Sequence, residues 1–275
     1  MQYLSDNQLP LDFYSFHRYT NSSNDPLDYA RIAQSYREEL DRFGFTSTRI
    51  INSEYGTSLL PDDPLIGGDA GRAAFAAQAL TFMQDAPVDR ALSYMILIGE
   101  TPSKESLGFE AISRLKETPS RLWTEAPEND AYAVLAGTDT EERRIQVVVS
   151  RYQISPLLIG PLPGERDVPV EIPGVGPLGT FTLLERRTPE YSDTDGYELV
   201  IDNVPDTWGA VRVEQYRIDR ANDLTLVGTE IVPTEKRPGG RVSLSGEWAH
   251  AEASPPADPN GVAQGVDVIV VEALD

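Results

Sequence analysis

The feature that most constrains the fold of this chain is a change of pattern near residue 120. Before that point, short apolar runs alternate with stretches in which apolar residues recur at helical spacing. The predicted strands are 11–16, 48–52 and 91–98, and the predicted helices are 26–43, 69–84 and 108–116. Asp25, Pro26 and Gly44 are the capping residues expected at the ends of the first helix. Apolar strands separated by helices are typical of a parallel sheet covered by helices.

After Trp123 the helical spacing ends, and strand-like runs follow one another between clusters of Gly, Pro and Asn or Asp. These runs are 131–136, 143–152, 178–186, 196–202, 210–218, 224–232, 241–247 and 266–272. The pattern predicts an antiparallel β-sandwich. We place the boundary within 118–130, which divides the chain into an α/β region over 1–122 and a β-sandwich domain over 123–275.

The α/β region is too short for a complete barrel. Parallel βα units form either a doubly wound sheet or a closed (β/α)8 barrel, and a complete barrel takes roughly 250 residues. The residues before Trp123 hold three such units. The pattern therefore leaves two alternatives, a small doubly wound sheet and a partial (β/α)8 TIM barrel without five of its units.

The composition disfavours several function classes. A net charge of −21, from 44 acidic and 23 basic residues, disfavours binding to nucleic acid and to anionic membrane surfaces. The chain has no cysteine, no apolar run of transmembrane length and no signal-peptide pattern at its beginning, which leaves the compartment undetermined. Its two histidines, His17 and His250, fall in different predicted domains, and no Gly-rich phosphate loop follows a strand, so we predict neither a metal nor a cofactor.

Polar side chains cluster where the three predicted strands end. They are His17 and Tyr19 after the first strand, Asn52, Glu54 and Tyr55 after the second, and Tyr94 and Glu100 on and after the third. In βα barrels the carboxyl ends of the strands carry the active site. A carboxylate flanked by a histidine and a tyrosine is the environment of a glycosidase nucleophile, where the tyrosine hydroxyl keeps the carboxylate ionised and the histidine contacts sugar hydroxyls. Taken singly, each residue also fits a surface loop or a core edge.

Several of these segments resemble family 39 of the glycoside hydrolases, the β-xylosidase and α-iduronidase family. The resemblance rests on SFHRY at 15–19, SEYGTS at 53–58, SYM at 93–95 and the stretch 196–220, which is similar to the family's sandwich. It implies barrel strands six to eight followed by the β-sandwich, and hence a C-terminal part of such an enzyme. It also implies that Glu54 is the retaining nucleophile and that His17, Tyr19, Asn52, Tyr55, Tyr94 and Glu100 form the substrate-binding set.

The sequence departs from the family pattern at three points. Met95 stands where the family has a Trp, and Gly56 stands where it has an Asn, so the family's sugar specificity does not carry over. The family's acid/base carboxylate follows an Asn, and this chain contains no Asn-Glu dipeptide. We therefore expect a truncated or split enzyme that acts on O-glycosidic bonds of a carbohydrate substrate, with either a missing N-terminal half or a homo-oligomer as its partner. Glu100 is a candidate substitute for the acid/base.

Two other interpretations stay open at this stage. The chain is alternatively a non-catalytic carbohydrate-binding or structural module, with Trp208, Tyr216 and Trp248 as a sugar platform, although packing of these aromatics in the sandwich core is favoured. The other alternative is a doubly wound α/β protein unrelated to glycosidases.

Overall fold

The computed structural model describes eleven stretches of the chain. They are residues 1–19, 25–56, 68–94, 97–98, 101–126, 131–152, 166–172, 176–183, 196–235, 239–248 and 264–274. Within them the helices are α1 (Gln2–Asp6), α2 (Asp28–Arg42), α3 (Gly68–Met83) and α4 (Lys104–Ser113), the last followed by a 3₁₀ turn (Arg114–Glu117). Glu100, Met95 and His250 lie outside the described residues.

A parallel sheet in the order β1-β2-β3 forms the first layer of the described α/β region. Its strands are β1 (Phe13–Tyr19), β2 (Arg49–Gly56) and β3 (Arg90–Ser93). Side chains of β1 alternate, so that Tyr14 and Phe16 pack on Tyr36 of α2 with ring centroids 4.9 and 5.0 Å apart. Phe13 and His17 face the opposite, open side of the sheet, which we call the inner face.

One extra residue, Ser53, interrupts the alternation of β2. The pairing with β1 passes from Phe16 opposite Asn52 to His17 opposite Glu54, which is a β-bulge. As a result Ile50 and Tyr55, an odd number of residues apart, are both buried on the helix side. The bulge thereby leaves Glu54 on the inner face.

The predicted strand over 91–98 is two separate pieces in the structure. After β3, the short β4 (Leu97–Ile98) pairs antiparallel with β5 (Thr101–Pro102). The fourth helix begins earlier than the sequence predicts, at Lys104, because the Ser103 side chain caps it by accepting a hydrogen bond from the Ser106 amide.

Two further sheets in the described residues pack against each other, and we refer to this pair as the sandwich. One has the order β13-β12-β15-β8-β7-β6, and the other pairs β11 with β14. The strands are β6 (Ser120–Arg121), β7 (Tyr132–Asp139), β8 (Arg144–Arg151), β11 (Gly196–Val204), β12 (Ala210–Ile218), β13 (Asp223–Pro233), β14 (Gly240–Glu247) and β15 (Gly265–Ala273). A separate hairpin joins β9 (Arg166–Ile172) to β10 (Gly176–Leu183). Trp208 and Trp248 are buried in the core between the two sandwich sheets, which confirms the core interpretation for both.

The six-stranded sheet is covered on both faces. One face packs on β11 and β14 through Val147, Val149 and their neighbours, whereas the other packs on α3 and α4 through Val148 and Val268. The ring of Phe75 in α3 meets that of Tyr152 edge-on at 5.3 Å. One hydrophobic cluster therefore includes residues of both the α/β region and the sandwich. No helix in the described part of the chain is long and apolar enough to cross a membrane.

Candidate active site

Glu54 lies directly opposite His17 at the carboxyl end of the central parallel strand. The Tyr19 hydroxyl donates a hydrogen bond to Glu54 Oε1. His17 Nδ1 lies 3.5 Å from the other carboxylate oxygen, Oε2. The Glu54 side chain is 30% exposed and that of His17 is 60% exposed. One oxygen of the carboxylate is thus held within the site, and the other is turned toward the imidazole.

The Tyr19 hydroxyl remains a hydrogen-bond donor in this contact. Burial, the hydrogen bond to Glu54 and the negative charge of that carboxylate together raise the pKa of Tyr19 well above its ordinary value. The phenol therefore stays protonated at neutral pH and keeps donating to Oε1. Hydrogen bonds to a charged acceptor are stronger than neutral ones, so this contact fixes the orientation of the carboxylate.

Two neighbours keep the Tyr19 ring in place. The Tyr94 ring, at the end of β3, meets it edge-on with centroids 6.1 Å apart. A Cβ placed on Gly56 would lie 3.3 Å from a ring carbon of Tyr19, so the glycine at this position leaves room for the ring. The Tyr29 hydroxyl donates to the Gly56 carbonyl at 2.9 Å and anchors the end of β2 to α2.

The positions of Asn52 and Tyr55 do not fit the substrate-binding role predicted for them. The Asn52 side chain is fully buried beside two backbone carbonyls, so its amide is assigned with the nitrogen toward them, donating to those of Glu54 (3.0 Å) and Phe16 (3.3 Å). Tyr55 is buried on the helix side, where its ring packs edge-on against Tyr29 at 5.4 Å. Burial also raises the pKa of the Tyr55 phenol, with a smaller contribution from the charge of Glu105.

The structure thus brings together four of the seven predicted site residues at one edge of the sheet: His17, Tyr19, Glu54 and Tyr94. Glu100 lies outside the described residues, and with it the candidate acid/base. No group of three or more acidic or histidine side chains within the described residues is arranged to hold a metal ion. Sequence reasoning missed the extra residue Ser53. No local signal marks it, because the odd spacing of Ile50 and Tyr55 is informative only once both are known to be buried on the helix side.

The fold has counterparts among solved structures. A glucosidase from Croceicoccus marinus is 25% identical with a TM-score of 0.74, and the match covers 99% of this chain and 56% of that one. A GH39 enzyme from Xanthomonas axonopodis pv. citri is 12% identical with a TM-score of 0.56, and the match covers 99% of this chain and 57% of that one. A monomeric β-xylosidase from Caulobacter crescentus is 11% identical with a TM-score of 0.57, and the match covers 99% of this chain and 58% of that one. No protein-family model and no curated protein matches the sequence. The chain therefore shares a mixed helix and strand fold with glycoside hydrolases, over somewhat more than half of their length.

Proposed function

We propose that this chain carries the nucleophile side of a retaining glycoside hydrolase site, with Glu54 as the nucleophile. The observation that supports this assignment is the arrangement of Glu54 at the carboxyl end of β2. Tyr19 donates to one of its oxygens, and the other faces His17 and the open inner face. The similarity in fold to a glucosidase and a β-xylosidase supports a sugar substrate.

In this proposal a carboxylate oxygen of Glu54 attacks the anomeric carbon of an O-glycoside. A glycosyl ester forms on Glu54 as the bond to the leaving oxygen breaks, and that oxygen takes a proton from a second carboxylic acid. Water, deprotonated by the same second group, then attacks the anomeric carbon and releases Glu54. Tyr19 holds Oε1 throughout, and the exposed His17 contacts the sugar hydroxyls.

The second carboxyl group comes from outside the described residues. Glu100 is one candidate, and the other is a residue of further βα units. We infer that such units cover the inner face in the active form, because Phe13, Leu92 and Tyr94 are 53%, 56% and 43% exposed there. Parallel sheets are normally covered on both faces. The covering units belong either to a longer or second polypeptide or to further copies of this chain.

Labelling with activated glycosides tests the nucleophile without needing the second carboxyl group. In 2,4-dinitrophenyl glycosides of xylose, glucose and iduronic acid, the phenolate leaves without being protonated. Attack by Glu54 then adds one glycosyl residue to the chain, and the ester accumulates where no general base activates water. We expect intact-mass and peptide analysis to place this residue on Glu54 with at least one of the three sugars.

Two variants serve as test and control in this experiment. Glu54→Gln removes the nucleophile and abolishes labelling. Glu198→Gln changes an exposed glutamate of β11 that lies in the sandwich, and it leaves labelling unchanged. Labelling that persists in Glu54→Gln would contradict the assignment. A folded chain that none of the three sugars labels would favour the non-catalytic alternative.

A further inference from the structure

The position of Glu54 on the inner face depends on the bulge of β2. In a regular strand, residues 50, 52 and 54 point to the same face. Ile50 lies against Phe16 and Leu40 on the helix side, so a regular β2 would direct Glu54 into that apolar layer. Burial of an unpaired carboxylate there is strongly unfavourable. The extra residue Ser53 shifts the alternation by one and turns Glu54 toward Tyr19 and His17.

A bulge interrupts the ladder, and the backbone groups next to it need other partners. Asn52 supplies them, because its buried amide, assigned with the nitrogen toward the surrounding acceptors, donates to the carbonyls of Phe16 on β1 and Glu54 on β2. One side chain therefore bridges both strands at the point where the pairing skips. The Ser53 hydroxyl makes a second contact to the Phe16 carbonyl, at 3.3 Å.

These contacts assign Asn52 a role different from substrate contact. We propose that Asn52 is the positioning residue of this site, whose amide clamps the bulge and so holds the Glu54 carboxylate on the inner face against Tyr19. The inference deepens the proposed function and rests on it only for the role of Glu54 as the nucleophile. The clamp itself is defined by the contacts of the Asn52 amide.

The Tyr19 phenol reports the position of the carboxylate independently of catalysis. With tyrosines labelled at ¹³Cζ, NMR follows the ionisation of Tyr19 against pH. In the unaltered chain we expect it to ionise above the ordinary tyrosine value of about 10. In Asn52→Leu, which keeps the branched outline, adds some volume and removes both donors, we expect the pKa of Tyr19 to fall toward that value, as in Glu54→Gln. Glycosyl labelling of Glu54 should fall about tenfold or more, because the carboxylate leaves its attack position.

Ser53→Ala is the matched control, since it keeps the extra residue and the Asn52 clamp. We expect its Tyr19 titration and its labelling to match those of the unaltered chain. A purely structural role for Asn52 predicts a lower melting temperature in Asn52→Leu with both readouts unchanged, and that result would overturn the proposal.

A measurement on the unaltered chain covers the case in which Asn52→Leu does not fold. The clamp predicts that the side-chain amide protons of Asn52 exchange slowly with solvent, unlike those of Gln34 on the exposed face of α2. Fast exchange at Asn52 would refute the clamp. If Glu54→Gln keeps its labelling while Tyr19 responds as expected in Asn52→Leu, the nucleophile assignment fails and the positioning role stands.

Discussion

The fully buried side chain of Gln78 in α3 donates a hydrogen bond of 2.6 Å to the backbone carbonyl of Ala131 at the beginning of β7. The same nitrogen lies 3.2 Å from the carbonyl of Ser150 in β8. A helix of the α/β region is thereby joined to two strands of the sandwich. At the surface, Arg121 adds two hydrogen bonds of 2.7 Å to Asp85. From these contacts and the shared hydrophobic cluster, we expect the α/β region and the sandwich to fold together.

Replacing Gln78 tests this coupling. Gln78→Met keeps the length of the side chain and removes both contacts, while the Ala131 carbonyl retains its hydrogen bond from the Tyr152 amide (2.9 Å), so we expect a loss of about 0.5–1.5 kcal/mol in the free energy of unfolding. Denaturant unfolding followed by fluorescence and by far-UV circular dichroism measures the change. The matched change Gln34→Met, on exposed α2, should cost less than about 0.5 kcal/mol. Separate transitions for the two probes would contradict folding as one unit.

Removing the Tyr19 hydroxyl should weaken the site with little effect on the fold. In Tyr19→Phe the carboxylate of Glu54 loses its donor, and a hydrogen bond to a charged group contributes about 1.5–3 kcal/mol. We expect glycosyl labelling of Glu54 to fall roughly 10- to 150-fold, with the melting temperature nearly unchanged. Tyr94→Phe keeps the ring that packs on Tyr19 and should remain within about threefold of the unaltered rate. An equal loss in both variants would contradict a specific role for the Tyr19 hydroxyl.

A surface network on the sandwich should give stability that depends on acid pH. Glu272 accepts hydrogen bonds from Arg144, at 2.9 Å from Nε, and from Arg212 on the neighbouring strand. Partial burial acts to raise the pKa of Glu272, but these two hydrogen bonds and charges outweigh it and bring the pKa below the ordinary value of 4.5. The stabilisation is therefore complete above that value, and it is lost as the pH falls through the lowered pKa of the folded state.

The difference in unfolding free energy between the unaltered chain and Glu272→Gln measures this contribution. We expect the difference to be present at neutral pH and to shrink progressively below pH 4.5. Glu198→Gln, at an exposed position, should show no such dependence. A difference that grows toward acid pH would have the wrong sign for a carboxylate with a lowered pKa.

The exposed inner face should make the isolated chain self-associate. Phe13 and Leu92 present apolar surface there, and burying such surface is favourable by about 25 cal/mol per Å². We expect the double variant Phe13→Ser, Leu92→Ser to shift the chain toward monomer in sedimentation velocity. Ile231→Ser removes a side chain that is 68% exposed on β13 and should leave the association unchanged. A chain that is monomeric before any substitution would contradict this use of the inner face.

Local patterns predicted most of the secondary structure, because capping residues and apolar spacing act within a few residues. Gly44, for instance, follows α2 with a φ of +85°, as expected of a residue just past a helix end. The placement of Tyr55 could not be predicted in the same way. We expected the strand to end at residue 52, whereas β2 continues to Gly56 and its alternation sends Tyr55 into the helix layer. The bulge that decides this is set by pairing with β1, which no local pattern contains.

The sandwich illustrates a different limit. Runs such as 143–152 predicted strands correctly, but an apolar run does not say what covers each face. In the structure α3 and α4 cover one face of the six-stranded sheet, so one hydrophobic cluster crosses the division near residue 120.

The extra residue in β2 has a consequence at the level of the gene. Loss of the single codon for Ser53 keeps the reading frame, every other residue of the site and nearly the whole composition. It changes the separation of Ile50 and the glutamate from four positions to three, so a regular strand without a bulge would still direct the carboxylate to the inner face, opposite His17. Searches for relatives of this site therefore gain from allowing both spacings between the buried isoleucine and the acid, since a bulged strand with four positions and a regular strand with three present the carboxylate on the same face.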